Sequence, residues 1–124
     1  EDATYAAARM LEILMGLNRK PTDVLARLPA VVSTPDHLIA MPDEQAAAVV
    51  AKLKESSAFG EGKPTTVDGL RIDYADGFGV VRASTVRPAL SIRFAANDET
   101  ALGKVKDQFR TALAEAAPDL ELPF

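Results

Sequence analysis

Apolar residues recur at helical spacing near both ends of the chain and in alternation between them. Ala6, Met10, Ile13, Leu14 and Leu17 share one helical face, Arg9 and Glu12 lie outside it, and Gly16 or Asn18 supplies a stop. A short second helix is predicted from Pro21, with proline in the first turn, Val24, Leu25 and Leu28 inward, and Pro29 as its end. Neither helix finds an obvious partner in the residues that follow. Thr34 precedes Pro35 and is pushed to extended angles, so Ser33–Asp36 reads as a connector.

From His37 onward the pattern becomes denser. Leu38–Met41 is a short strand, and Pro42-Asp43-Glu44 opens a helix with Ala46, Val49, Val50 and Leu53 on one face. Gly60 and Gly62 punctuate a loop. Leu70, Ile72 and Tyr74 then alternate with Arg71 and Asp73, Asp76-Gly77 signals a turn, and Phe78–Ala83 returns as a strand. Leu90, Ile92 and Phe94 mark another strand. Asn97 is the expected cap of a last helix whose inner face is Leu102, Val105, Phe109, Ala112 and Leu113 and which Pro118 closes. The order β-α-β-β-β-α predicts an α+β fold. Its four-stranded antiparallel sheet carries two helices on one face and is preceded by one or two N-terminal helices.

Composition narrows the function classes. The 124 residues suit one compact domain with an appended segment, and 48% hydrophobic with 26% charged residues is ordinary for a globular chain. The sequence contains no cysteine, so neither a disulfide framework nor a thiolate metal site can form, which fits a reducing compartment. No apolar run approaches the ~18 residues of a membrane span. The first residues lack a signal-peptide pattern and an initiator Met, as expected of a processed or excised piece. The net charge of −4 disfavours a nucleic-acid or membrane-surface role. That charge is uneven: Arg71, Arg82, Arg87 and Arg93 outnumber Asp73 and Asp76 in one stretch, a local +2 that leaves −6 elsewhere. A small basic island in an acidic chain is a candidate anion site.

The segment Val81-Arg82-Ala83-Ser84-Thr85-Val86-Arg87-Pro88 lies between two strands, where a rigid frame presents a free backbone. A phosphate dianion asks for guanidinium forks, hydroxyl donors and unpaired N–H groups aimed at one point. Arg82, Ser84, Thr85 and Arg87 supply such side chains within six residues. Other residues read more simply. His37 is the single histidine and has no second nitrogen ligand to make a metal site with. Glu61 reads as a solvated loop residue, and Tyr74 and Phe78 as packing rather than sugar-stacking platforms.

Three stretches carry a resemblance. They are Thr66-Val67-Asp68-Gly69-Leu70-Arg71-Ile72-Asp73-Tyr74, Gly77-Phe78-Gly79-Val80-Val81-Arg82-Ala83-Ser84 and Pro88-Ala89-Leu90-Ser91-Ile92-Arg93-Phe94-Ala95-Ala96. In order and spacing they are similar to the closing domain of the α-D-phosphohexomutase family, in its bacterial phosphomannomutase/phosphoglucomutase subgroup. Gly60-Glu61-Gly62 and the ending Leu122-Pro123-Phe124 add to the likeness. Asp2–Leu14 resembles the last helix of the family's third domain, and Ser33-Thr34-Pro35 its hinge strand.

The resemblance implies a domain layout: 1–32 as the helical remnant of the third domain, 33–36 as hinge, 37–124 as the fourth domain. It implies an isomerase of carbohydrate metabolism that interconverts hexose 1-phosphates and 6-phosphates, of mannose or glucose, through a 1,6-bisphosphate. The family's phosphoserine, its Mg²⁺ and its sugar-reading loop belong to earlier domains. This fragment is thus expected to have no catalytic residue, no metal or other cofactor of its own and no turnover alone. Its expected partners are a hexose phosphate and the remaining domains, in the cytoplasm, with no nucleic acid and no membrane. By position, Arg82 and Ser84 fall on the family's phosphate ligands. Thr85 stands where Gly or Asn is usual. Val86 replaces a threonine and keeps only its backbone N–H for the phosphate, and Arg87 offers charge in place of an acidic or polar residue. Alternatives from other classes are a stand-alone phosphosugar- or anion-binding module without catalysis, and an anion-binding structural domain.

Overall fold

The structure is a computed structural model that describes residues 2–124, and they fall into two compact units divided between Ala30 and Val31. In the first unit, helix α1 (Ala3–Leu17) starts at Asp2, whose carboxylate accepts a hydrogen bond from the Tyr5 N–H at 2.9 Å. It stops at Asn18, which adopts left-handed angles and donates its N–H to the Met15 carbonyl. Helix α2 (Pro21–Leu25) follows, with proline in its first turn as expected. Among the described residues, none of α1 or α2 is buried. Met10, Ile13, Leu17, Leu25 and Leu28, which the spacing places inward, are exposed.

The second unit is built on strands β1 (Val32–Ser33), β2 (His37–Ala40), β3 (Lys63–Thr65), β4 (Leu70–Asp73), β5 (Gly77–Ala83) and β6 (Ala89–Ala96), with helices α3 (Asp43–Glu55) and α4 (Glu99–Ala116). All pairings are antiparallel: β3, β4, β5 and β6 form a meander, and β1 and β2 share the outer edge of β6. The four strands expected from alternation are present. β1 and β3 are additions, too short and too polar to show a period. The connector around Ser33–Asp36 is bonded into the sheet through Ser33 opposite Ala95 and through Thr34 to Phe94. The outer edge of β6 is thereby paired along its length, which removes a template for aggregation.

Alternation sends Leu70, Ile72, Val81, Leu90, Ile92 and Phe94 to one face, where they meet Val49, Val50 and Leu53 of α3 and Leu102, Val105, Phe109 and Leu113 of α4. Each such side chain, fully buried, contributes about 1.5–3 kcal/mol. Phe109 lies flush against the sheet because Gly79 has no side chain: a Cβ there would fall 2.4 Å from its ring. The cap of α4 is Asp98 rather than Asn97. Its carboxylate accepts the Ala101 N–H at 2.8 Å, while the Asn97 N–H is committed to the Asp76 carbonyl.

The opposite face of the sheet carries Arg71, Asp73, Phe78, Val80, Arg82 and Arg93, as strand alternation requires. Arg71 sits 3.7 Å over the Phe78 ring and bonds both carboxylate oxygens of Asp73. That pairing holds the Asp73 carboxyl below the usual carboxylate range and raises the Arg71 guanidinium further. Phe78 is thus packed under a cation. Tyr74 is half-buried, and burial pushes its phenol up.

Candidate anion-binding site

The bend between β5 and β6 is a short hairpin whose closing pair lies just beyond β5. The Ser84 N–H donates to the Ala89 carbonyl at 2.9 Å, so Thr85-Val86-Arg87-Pro88 form the loop. Pro88 gives the loop no N–H but supplies a carbonyl that accepts from Met41 N at 3.3 Å, tying the loop to the chain that enters α3. Inside the bend the N–H groups of Val86 and Arg87 converge on one atom, Ser84 Oγ, each at 3.4 Å. Both are long for N–H···O bonds, so the pair is only loosely engaged and can turn to a better acceptor. The serine hydroxyl accepts from both and keeps its own proton to donate.

Ser84, Thr85, Val86, Arg87 and Pro88 line one depression of about 150 Å³ together with Asp43. Four of the five residues expected at the site are therefore brought together. Arg82 is not on that lining. It lies two residues earlier on β5, and its Nη1 is 3.2 Å from Asp68 Oδ2. Val86 is 89% exposed, so its side chain meets solvent and only its N–H points into the bend. Arg87 and Thr85 are also exposed.

Two acidic residues also lie near the site. Asp43 opens α3, where a carboxylate is favourable beside the positive helix end. It reaches the loop because β2 pairs with β6 and delivers the start of α3 beside Pro88. Asp68 belongs to the Asp-Gly pair that leads into β4. Only the register between β4 and β5 reveals that it meets Arg82.

The arrangement carries groups that can hold an anion with a few oxygens, with Asp43 adding a negative residue to the same lining. It offers a hydroxyl, two backbone amides and a guanidinium at one bend, with a second guanidinium two residues away. It offers no nucleophile paired with a base. Among the described residues no three His, Asp or Glu side chains are grouped to hold a metal ion. Nor, among them, is any helix long and apolar enough to cross a membrane.

The sequence matches the phosphoglucomutase/phosphomannomutase C-terminal domain over residues 38–112. It is 41% identical over 124 residues to a phosphomannomutase/phosphoglucomutase of Pseudomonas putida, a match that covers 100% of this chain and 27% of the relative. It is 39% identical over 125 residues to a phosphoglucomutase of Neisseria meningitidis, covering 99% of this chain and 27% of that one. Among solved structures it is similar to a phosphoglucomutase/phosphomannomutase family protein of Burkholderia thailandensis, with a TM-score of 0.86 and 38% identity over 99% of this chain and 26% of that chain. The chain spans about a quarter of the length of these relatives. By sequence and by fold alike, it belongs to the phosphoglucomutase/phosphomannomutase family and carries that family's C-terminal domain.

Proposed function

We propose that this domain grips the phosphate of a hexose phosphate that is not being transferred, within an isomerase that interconverts hexose 1-phosphate and 6-phosphate through the 1,6-bisphosphate. One observation carries the reading: two backbone N–H groups of an exposed bend converge on a single oxygen, beside a guanidinium. A phosphate oxygen can take the place of Ser84 Oγ as their common acceptor, with the serine proton donated to a second oxygen. Arg87 and Arg82 then supply charge, and Thr85 a further hydroxyl. Val86 serves through its backbone alone.

On this reading residues 1–30 are the end of the preceding domain, and the hinge on which the grip closes lies where they run into β1, not in Ser33–Asp36, which is bonded into the sheet. The apolar side chains left exposed on α1 support that division, because such a face is normally covered. The other domains of the same enzyme, in the cytoplasm, supply the phosphoserine and the Mg²⁺. No step of theirs is assigned to residues of this chain.

The test is a titration of the 124-residue chain with glucose 1-phosphate or mannose 1-phosphate, followed by backbone NMR. The Ser84, Thr85, Val86 and Arg87 amides shift together, and Ser84→Ala weakens the response. The chain alone shows no mutase turnover. Shifts confined to other parts of the sheet would remove the assignment.

A further inference from the structure

Resting on the assignment of Arg82 to the phosphate, we infer that Asp68 is the positioning residue for the Arg82 guanidinium, and that Gly69 exists to deliver it.

Arg82 stands on the sheet face away from the helices, with Ser91 across from it on β6. On its other side β4 begins only at Leu70, opposite Val81, so the turn entering β4 lies beside Arg82. That turn comes unusually close. Gly69 has φ +84, and a Cβ there would fall 2.7 Å from Arg82 Cβ and 2.9 Å from Arg82 Cα. Both facts demand glycine. The close approach carries the neighbouring Asp68 carboxylate to 3.2 Å from Arg82 Nη1.

One carboxylate oxygen takes one corner of the fork and leaves the remaining N–H donors for a dianion. A long arginine side chain otherwise loses its rotational freedom when the ligand arrives. A contact made beforehand removes part of that cost. The pair adds little to fold stability, since its side chains are 49% and 72% exposed. Its presence is therefore better explained by orientation than by stability.

The sign of one substitution decides the matter. A carboxylate near a phosphate site repels the ligand, so a bystander Asp68 predicts tighter binding when its charge is removed. A positioning Asp68 predicts weaker binding. Glucose 1-phosphate is titrated into the 124-residue chain and into its variants, reading the Val86 and Arg87 amides and the Arg82 Nε–H resonance. Arg82→Ala weakens binding by about tenfold or more. Asp68→Asn weakens it by about threefold or more, and in the free protein moves the Arg82 Nε–H resonance toward that of a mobile side chain. Asp68→Glu restores part of the loss. In the double variant Asp68→Asn adds nothing to Arg82→Ala. Unchanged or tighter binding by Asp68→Asn, with Arg82→Ala still impaired, overturns the inference alone, as does a full additive loss in the double variant. An Arg82→Ala variant that binds normally overturns the phosphate assignment itself and takes the inference with it.

Discussion

Thr34 and Phe94 are joined by two hydrogen bonds: the Thr34 N–H donates to the Phe94 carbonyl at 3.0 Å, and the Phe94 N–H donates back to Thr34 Oγ1 at 3.1 Å. The threonine is buried, at 7% exposure, so its hydroxyl replaces the backbone acceptor that a continuous edge strand would have offered. It bridges β1 to β2 where Pro35 interrupts the edge. Thr34→Val keeps the shape and leaves the Phe94 N–H without an acceptor in a buried place. The expected loss is about 1–3 kcal/mol in urea unfolding, and Thr34→Ser recovers most of it. An unchanged midpoint for Thr34→Val would mean that water replaces the hydroxyl.

Gly79 is the second place where one side chain decides the packing. An alanine there would bring its Cβ within 2.4–3.0 Å of three ring atoms of Phe109, which is fully buried between Phe94 and Phe59. The ring cannot swing aside into solvent, so Gly79→Ala forces helix α4 off the sheet at a cost of about 1–3 kcal/mol. Pairing it with Phe109→Leu, which frees the clashing ring edge, returns part of that loss if the clash is its cause. Thermal unfolding of the two variants checks both statements.

Much of this architecture was legible in the sequence because burial enforces periodicity. Ala46, Val49, Val50 and Leu53 of α3, and Leu102, Val105, Phe109, Ala112 and Leu113 of α4, are the buried positions the spacing named. β1 and β3 escaped because two or three residues cannot express a period, and β3 is exposed throughout. The cap of α4 was displaced by one residue because Asn97 and Asp98 are both good caps, and the tertiary bond from Asn97 N to Asp76 selects between them. At the site, Ser84, Thr85, Val86 and Arg87 could be read together because they are contiguous. The roles of Asp43 and Asp68 could not, since each depends on which strands pair and in what register.

His37 gives the fold a pH dependence. Its ring lies 5.2 Å from Phe124 and 6.3 Å from Phe94, and its Nε2 is buried without a hydrogen-bond partner among the described residues. Burial, aided by Lys106 and opposed by Asp36, holds its pKa below the ordinary 6.5. The folded state therefore binds its proton less readily than the unfolded state. Stability is unaffected by this group well above pH 6.5. It falls as the pH drops from that value toward the folded pKa, where the unfolded chain is protonated and the folded one is not. Urea unfolding between pH 7.5 and 5.5 should show this decline, and His37→Phe should flatten it; a slope that survives the substitution belongs to another group.

Asp43 supplies a prediction opposite in sign to that for Asp68. Asp43 lines the depression formed by Ser84–Pro88, and its side chain makes no hydrogen bond among the described residues. A phosphate in that depression meets a like charge from Asp43 beside the attraction of Arg87. At the surface, two charges about 4 Å apart interact by roughly 1–4 kcal/mol, depending on how much water lies between them. Asp43→Asn therefore tightens glucose 1-phosphate binding by several-fold at low salt, and the gain shrinks as salt screens the repulsion. The same change removes a favourable charge from the first turn of α3, which costs about 0.3–1 kcal/mol of stability. Affinity and stability thus move in opposite directions. Weaker binding by Asp43→Asn would show that the depression receives a cation or a neutral group, and the phosphate reading of the loop would fail.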